Sequence, residues 1–129
     1  MKTTHFVGSS LDDLREFPAD VRMDIGFALH QAEHGEKSLH ATPLVGFKGA
    51  GVLEIISNSD GKTYRAVYTV KLSEAVFVLH CFQKKSKNGI ATPAKDMDLV
   101  RSRLKDAERI NEELARRRIQ ENQDEKPSG

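Results

Sequence analysis

Seven charged side chains in this chain are grouped in a way that could do chemistry. Arg65 stands inside the β-prone run "TYRAVYTVKL", and Glu54 inside "VLEIISNS". Lys84, Lys85 and Lys87 follow the apolar run "EAVFVLHCF", while Lys48 and Lys71 flank the same region. The planar fork of an arginine grips two phosphate oxygens at once, and a cluster of lysines adds to the pull on a polyanion. A carboxylate beside them is either the ion-pair partner of Arg65 on the neighbouring strand or a general base. The plainer readings are a solvated strand face around Arg65 and a solvated strand end at the lysines.

Other reactive residue types give weaker signals. His30 and His34 are four apart on one helix face, but "HQAEH" is not the HExxH pattern and further ligands are missing, so no metal site is expected. His80 reads as a packed or hydrogen-bonded strand residue. Cys81, the one cysteine, has no visible base partner and reads as core. Tyr64 and Tyr68 read as packing residues. There is no glycine-rich nucleotide loop or nucleophile elbow, and no cofactor is expected.

The net charge of +1 hides an asymmetry. Residues 51–105 hold ten Lys/Arg against five Asp/Glu, whereas residues 1–50 and 106–129 each hold five against seven. The positive charge therefore sits with the strand signals, which points to an anionic partner. It falls short of the basic stripe of a dedicated nucleic-acid binder. No stretch approaches the roughly 18 apolar residues of a membrane span. The start, "MKTTHFVGSS", lacks the apolar region of a signal peptide, and a lone cysteine fits a reducing compartment, so a cytoplasmic protein without membrane contact is expected.

The elements that must position these residues can be read along the chain. "THFVGSS" is a first strand. "SSLDDLREF" is a short helix with Ser10 as N-cap and Asp13 closing a capping box. "PADVRMDIGFALHQAEHG" is a second helix, with Pro18 at its first position, Gly35 at its C-terminal cap and an apolar stripe of Val21, Ile25, Ala28, Leu29 and Ala32. Residues 36–51 read as a loop. Three strands follow, 52–59, 63–72 and 74–82, the first two joined by the hairpin signal Asp60-Gly61. The short connections make an antiparallel meander. Thr92 as N-cap and Pro93 as first helical residue open a last helix, whose Met97, Val100, Leu104 and Ala107 pack on the body. The expected fold is α+β, with the N-terminal strand and helical hairpin on one face of a sheet of about four strands. The other face is expected to be more open. Residues 1–107 form the domain, 108–122 a projecting charged helical extension and a candidate oligomer contact, and 123–129 a disordered tail.

The order Gly51 with Glu54, Tyr64-Arg65 with Tyr68, Leu79-His80 with Phe82 and Lys84-Lys85, then Thr92-Pro93, resembles the RelE/ParE toxin superfamily. Within it, the order is most similar to the phage-derived, HigB-like branch. The resemblance spans about residues 40–107. The sequence departs at Ile56, where that branch often carries a basic residue. After the lysines it also lacks the tyrosine or histidine that some RelE-like nucleases place there.

The resemblance implies a RelE-like fold and the toxin of a type II toxin–antitoxin module. It implies a ribosome-dependent mRNA endoribonuclease, an mRNA interferase that inhibits translation by metal-independent attack of the ribose 2′-OH. The implied partners are a cognate antitoxin with a helix-turn-helix domain and mRNA on the ribosome. Arg65 and Lys85 suit stabilisation of charge on the pentavalent phosphorus. Crowded lysines repel one another's charge, which makes one of Lys48, Lys84 and Lys85 a candidate proton carrier, with Glu54 the alternative base. Lys48, Lys71 and Lys87 would hold RNA. Two alternatives stand beside this reading: a ParE-like toxin that grips a protein such as gyrase without cutting RNA, and a degenerate phage-derived member.

Overall fold

The structure is a computed structural model that describes residues 1–47, 49–84 and 92–124. Its elements run β1 (Thr3–Phe6), α1 (Ser10–Arg15), α2 (Ala19–Glu33), β2 (Ala41–Pro43), β3 (Val52–Ser59), β4 (Lys62–Thr69), β5 (Ala75–Lys84) and α3 (Ala94–Asp124). The strands form one sheet in the order β1-β5-β4-β3-β2.

The meander β3-β4-β5 is antiparallel, as its short connections require. Asp60 and Gly61 both take positive φ, 51° and 73°, and Ser59 faces Lys62, so the Asp-Gly pair makes the two-residue turn that matches strand twist. β1 departs from the meander logic. It lies parallel to β5, Thr3 facing Ala75, and makes the sheet mixed. The sheet gains a fifth strand, β2, inside the stretch read as a loop. It is only Ala41–Pro43, with a proline as its last residue, too short to leave a periodic signal.

Apolar residues sit on both faces of β5, and both faces are covered. One layer packs Leu14 and Phe17 with Val21, Ile25 and Leu29 against Ile55, Tyr68, Val76 and Val78. The opposite layer packs Val100 and Ala107 of α3 against Val52, Val67, Phe77 and Leu79. The second face is thus occupied along much of its length, where the sequence suggested an open one. Contacts of α3 with the body run on past Ala107: Ile110 and Leu114 pack on the second layer, Asn111 Oδ1 accepts from the Glu74 backbone N–H at 2.8 Å, and Arg118 Nε donates to Glu74 at 2.7 Å.

The helix ends repay inspection. α2 closes in a Schellman arrangement, with Gly35 N–H on the Ala32 carbonyl and Glu36 N–H on the Gln31 carbonyl, Gly35 supplying φ +77°. α1 starts one residue earlier than a Ser10 cap would give. Ser9 stands at the cap, because the Ser10 hydroxyl is buried and donates to the Val78 carbonyl. Pro18 precedes the first helical residue of α2 and Pro93 that of α3, each one step outside its expected place.

One irregularity re-aims a side chain. Val67 pairs with His80 but Tyr68 with Val78, so Leu79 is an extra residue in β5. In such a bulge alternation breaks. Leu79 joins the α3 layer with Phe77, and His80 reaches α3 as well, while Val78 and Cys81 stay in the other layer.

Candidate polar cleft beside the last helix

Strand register brings Glu54 and Arg65 together. Arg65 faces Ile56 and Glu54 faces Val67, so the two charged residues are diagonal neighbours on the α3 side of the sheet. Arg65 Nη1 donates to Glu54 Oε1 at 2.8 Å, and both side chains are almost wholly buried, 5% and 6% exposed. Thr92, just before α3, completes the cluster. Its hydroxyl donates to Glu54 Oε2 at 3.1 Å and lies 3.5 Å from Arg65 Nη1. The hydroxyl that sequence reading assigned to a helix cap is thus turned onto a carboxylate. Thr92 was not expected at the site; the Thr-Pro pair was its only signal.

Among the described residues, Arg65 Nε is buried without a hydrogen-bond partner. A buried unsatisfied donor costs about 1–3 kcal/mol. The arginine is held by its Nη1 contacts to the carboxylate and the hydroxyl.

These residues floor a cleft of about 540 Å³. Its walls are largely apolar: Leu44, Val45, Ile56 and Met97, with Thr42 and Pro43 from β2. Val45 is 86% exposed at its edge. An apolar wall over a carboxylate–guanidinium floor can take a flat ring or an apolar group with a polar end. The ion pair leaves the floor close to neutral, so phosphate attraction must come from other cations.

Those cations are spread out. Lys84 closes β5 opposite Thr63, two residues along from the Phe82–Arg65 pair, and strand alternation sets it on the face of Phe82 and Arg65. It is partly buried and engaged with its surroundings. Lys71 lies elsewhere. Its Nζ donates to the Gly49 carbonyl at 2.9 Å, and it lines a different hollow bounded by Phe47, Gly49 and Gly51. Lys48, Lys85 and Lys87 fall outside the described residues, so of the six candidate cations Arg65, Lys84 and Lys71 can be placed, and Lys71 stands apart from the cleft.

His80 belongs to a separate network. Its Nε2 meets Asp96 Oδ1 at 2.7 Å, its ring stacks on Phe82 at 4.8 Å, and Arg103 Nη1 lies 3.4 Å from its Nδ1. Arg103 also donates to the Leu79 carbonyl at 3.0 Å and to Ser9 Oγ at 2.8 Å. With Nδ1 accepting from arginine and Nε2 donating to aspartate, the imidazole is saturated. The network ties the first turns of α3 to β5 and to the start of α1, which agrees with the reading of His80 as a hydrogen-bonded strand residue. Simple strand alternation would set His80 on one face with Val78 and Phe82, but it shares its face only with Phe82 because the bulge intervenes.

The remaining candidates are inert. Burial pushes the Cys81 thiol up to about 12 and the Tyr68 phenol likewise to about 12. Neither ionises near neutrality, so Cys81 is a core residue rather than a nucleophile. His34 Nδ1 lies 2.9 Å from the His30 carbonyl, and among the described residues no three metal-ligating side chains converge. Among them, too, no helix is long and apolar enough to cross a membrane.

A family model described as phage-derived protein Gp49-like (DUF891) matches residues 12–105. No curated protein and no solved structure matches the chain. The matched segment holds β2 to β5, both cleft-lining polar strands and the first part of α3, and so contains the whole Glu54–Arg65–Thr92 cluster.

Proposed function

We propose, for a chain that belongs to the Gp49-like phage-derived family of the RelE/ParE-like toxin superfamily, that it is the toxin of a toxin–antitoxin module and cuts mRNA on the ribosome. Family membership is consistent with such a toxin at the coarse level. The reading of cleavage rests on one observation: a carboxylate and a guanidinium, 2.8 Å apart, floor a single cleft.

Cleavage by the ribose 2′-OH needs a base for that proton, donors for the charge growing on phosphorus, and an acid for the departing 5′-oxygen. Glu54 is the base. It is held by Arg65 and Thr92, so its lone pairs are aimed before substrate arrives. As Glu54 takes the proton its charge falls, and Arg65 becomes free to grip the phosphorane oxygens. Removing such a donor typically slows the step about 100- to 1000-fold. Lys84, which ends β5, and Lys85, the next residue in the sequence, supply further cations and the acid; Lys48, Lys71 and Lys87 hold the RNA strand. The apolar wall of Leu44, Ile56 and Met97 takes a base face. The mRNA is aligned by the ribosome, and a cognate antitoxin with a helix-turn-helix domain restrains the toxin.

The same apolar lining, with Ile56 where a cation is common, favours a second reading: a ParE-like toxin that grips a protein such as gyrase. Induction in cells, with mapping of mRNA 5′ ends, separates the two. Codon-phased cuts that vanish in Glu54→Gln and weaken in Lys84→Ala support the nuclease. Growth arrest with intact mRNA and altered DNA supercoiling overturns it.

A further inference from the structure

β2 covers only part of β3. Its three residues pair with Leu53, Glu54 and Ile55, and the chain before it turns away, the His40 N–H bonding to Ser38 Oγ instead of continuing the ladder. Ile56–Ser59 are thus left at the sheet edge on that side. The direction of their backbone groups follows from two observations. Leu44 N–H bonds to the Val52 carbonyl, and Ser59–Lys62 closes the tight turn. Even-numbered residues of β3 therefore aim N–H and C=O outward, and odd-numbered ones aim them at β4. Asn58 presents a donor and an acceptor, and Ile56 an acceptor, with no backbone partner among the described residues, while the Ile56 N–H faces the His40 carbonyl as the Ala41–Ile55 pairing requires.

Edges of this kind are normally blunted. The outer side of β2 is: Pro43 has no N–H, and the Ala41 N–H is taken by the Ser38 carbonyl. The edge at 56–59 has no proline and no lysine on its strand. It lies between two hollows. On the α3 side Ile56 borders the apolar cleft; on the α2 side Ser57 borders a hollow of about 220 Å³ with Asp24 and His40. The second hollow is acidic. Asp24 accepts from Ser57 Oγ at 2.8 Å and Asp20 from Ser59 Oγ at 2.7 Å, and neither has an ion-pair partner among the described residues.

We propose that Ile56–Ser59 is a docking edge for an extended peptide segment of another protein, with apolar and basic side chains in alternation. The peptide adds a strand. Its residues opposite Ile56 and Asn58 complete the ladder and turn apolar side chains toward the Leu44–Ile56–Met97 wall. The residues opposite Ser57 and Ser59 turn lysine or arginine toward Asp24 and Asp20. Main-chain hydrogen bonds give the grip, and the two hollows give the selectivity. The peptide shares the Leu44–Ile56–Met97 wall with the RNA base of the proposed cleavage, so the two would compete there, but the docking edge itself does not require cleavage.

The test uses the full chain and a fluorescein-labelled hexapeptide of alternating valine and lysine, followed by anisotropy. The Val/Lys peptide should bind about tenfold or more tighter than a Val/Glu peptide. N-methylation of its valines should weaken binding about tenfold, as two ladder bonds are lost. Asn58→Pro, which removes an outward N–H and leaves the β4 ladder intact, should do the same. Asp20→Asn with Asp24→Asn should erase the charge preference while sparing the fold. Amide exchange at Asn58 should slow only when peptide is added. Equal binding of the N-methylated peptide would overturn the proposal. So would protection of that amide rising with protein concentration alone, since the occupant would then be a second copy of this chain.

Discussion

Removing the guanidinium of Arg65 alone should destabilise the protein more than removing both members of its ion pair. Arg65 and Glu54 meet at 2.8 Å with side chains only 5% and 6% exposed. Arg65→Ala strands a buried carboxylate whose one remaining donor among the described residues is the Thr92 hydroxyl at 3.1 Å. Breaking a buried pair from one side costs about 3–5 kcal/mol. For a chain of 129 residues each kcal/mol moves Tm by roughly 3–5 °C, so a fall of about 10–20 °C is expected. The double change Arg65→Met with Glu54→Leu removes both charges and keeps apolar volume. It also removes the orphaned Nε, whose burial costs about 1–3 kcal/mol. The double variant should therefore lie within about 1.5 kcal/mol of the parent, leaving a coupling of at least about 2 kcal/mol. Urea denaturation of the parent, Arg65→Met, Glu54→Leu and the double variant, with unchanged m-values, measures the cycle. A loss below about 1 kcal/mol in Arg65→Ala would refute the picture of a desolvated, interdependent pair. The double variant has a second use: folded, it should be devoid of RNA cleavage, which separates a chemical role of the pair from a structural one.

Three further outcomes follow from other contacts. Asp96→Asn should weaken the hold on the His80 imidazole, which Asp96 meets at 2.7 Å, and lower stability by about 1–2 kcal/mol, with faster amide exchange in the first turns of α3. Gly8→Ala should cost at least about 1 kcal/mol in thermal unfolding, because φ is +58° and a Cβ would come 2.8 Å from Arg103 Nε; a neutral result would mean Arg103 moves without loss of its bonds to Leu79 and Ser9. The Arg118 hydrogen bond holds the Glu74 carboxyl below its ordinary range. A depressed carboxylate stabilises the fold above its unfolded pKa, and the stabilisation is lost as pH falls through the depressed folded value. Exchange in α3 around Arg118 should then quicken on acidification below the ordinary carboxylate range, and Glu74→Gln should abolish that dependence.

What could be read in advance was local. The Asp60-Gly61 turn, the glycine that closes α2 and the doubly apolar β5 each depend on residues close together in sequence, and each recurs in the structure. The diagonal meeting of Glu54 and Arg65 was legible because a tight hairpin fixes register. Apart from the short β2, the misses depend on distant partners. β1 pairs with a strand some 70 residues on, and its four residues carry no mark of parallel pairing. The bulge at Leu79 is set by the fit of β5 to β4 and α3, since "VFVLHCF" alternates no differently there than elsewhere. The Thr92 hydroxyl has two satisfying choices, a helix terminus or a carboxylate, and only the fold decides between them. Arg103, which joins β5, α3 and α1, looked like one of many charges on a polar helix.

The parallel seam between β1 and β5 also sets an order of assembly. The meander β3-β4-β5 joins strands through short turns and can form early, whereas the Thr3–Ala75 pairing must close a loop of some 70 residues. Such closures are slow because their entropy is lost before any contact rewards it. β1 and the strand it needs leave a ribosome at opposite ends of the synthesis of this sheet, at roughly 5–20 residues per second. For several seconds the nascent chain carries its first strand unpaired. The edge of β5 that will receive it becomes available only after the cleft-bearing strands β3 and β4 have been made. Pulse-labelled hydrogen exchange should find β3 to β5 protected before Thr3–Phe6; simultaneous protection would contradict this sequence of events.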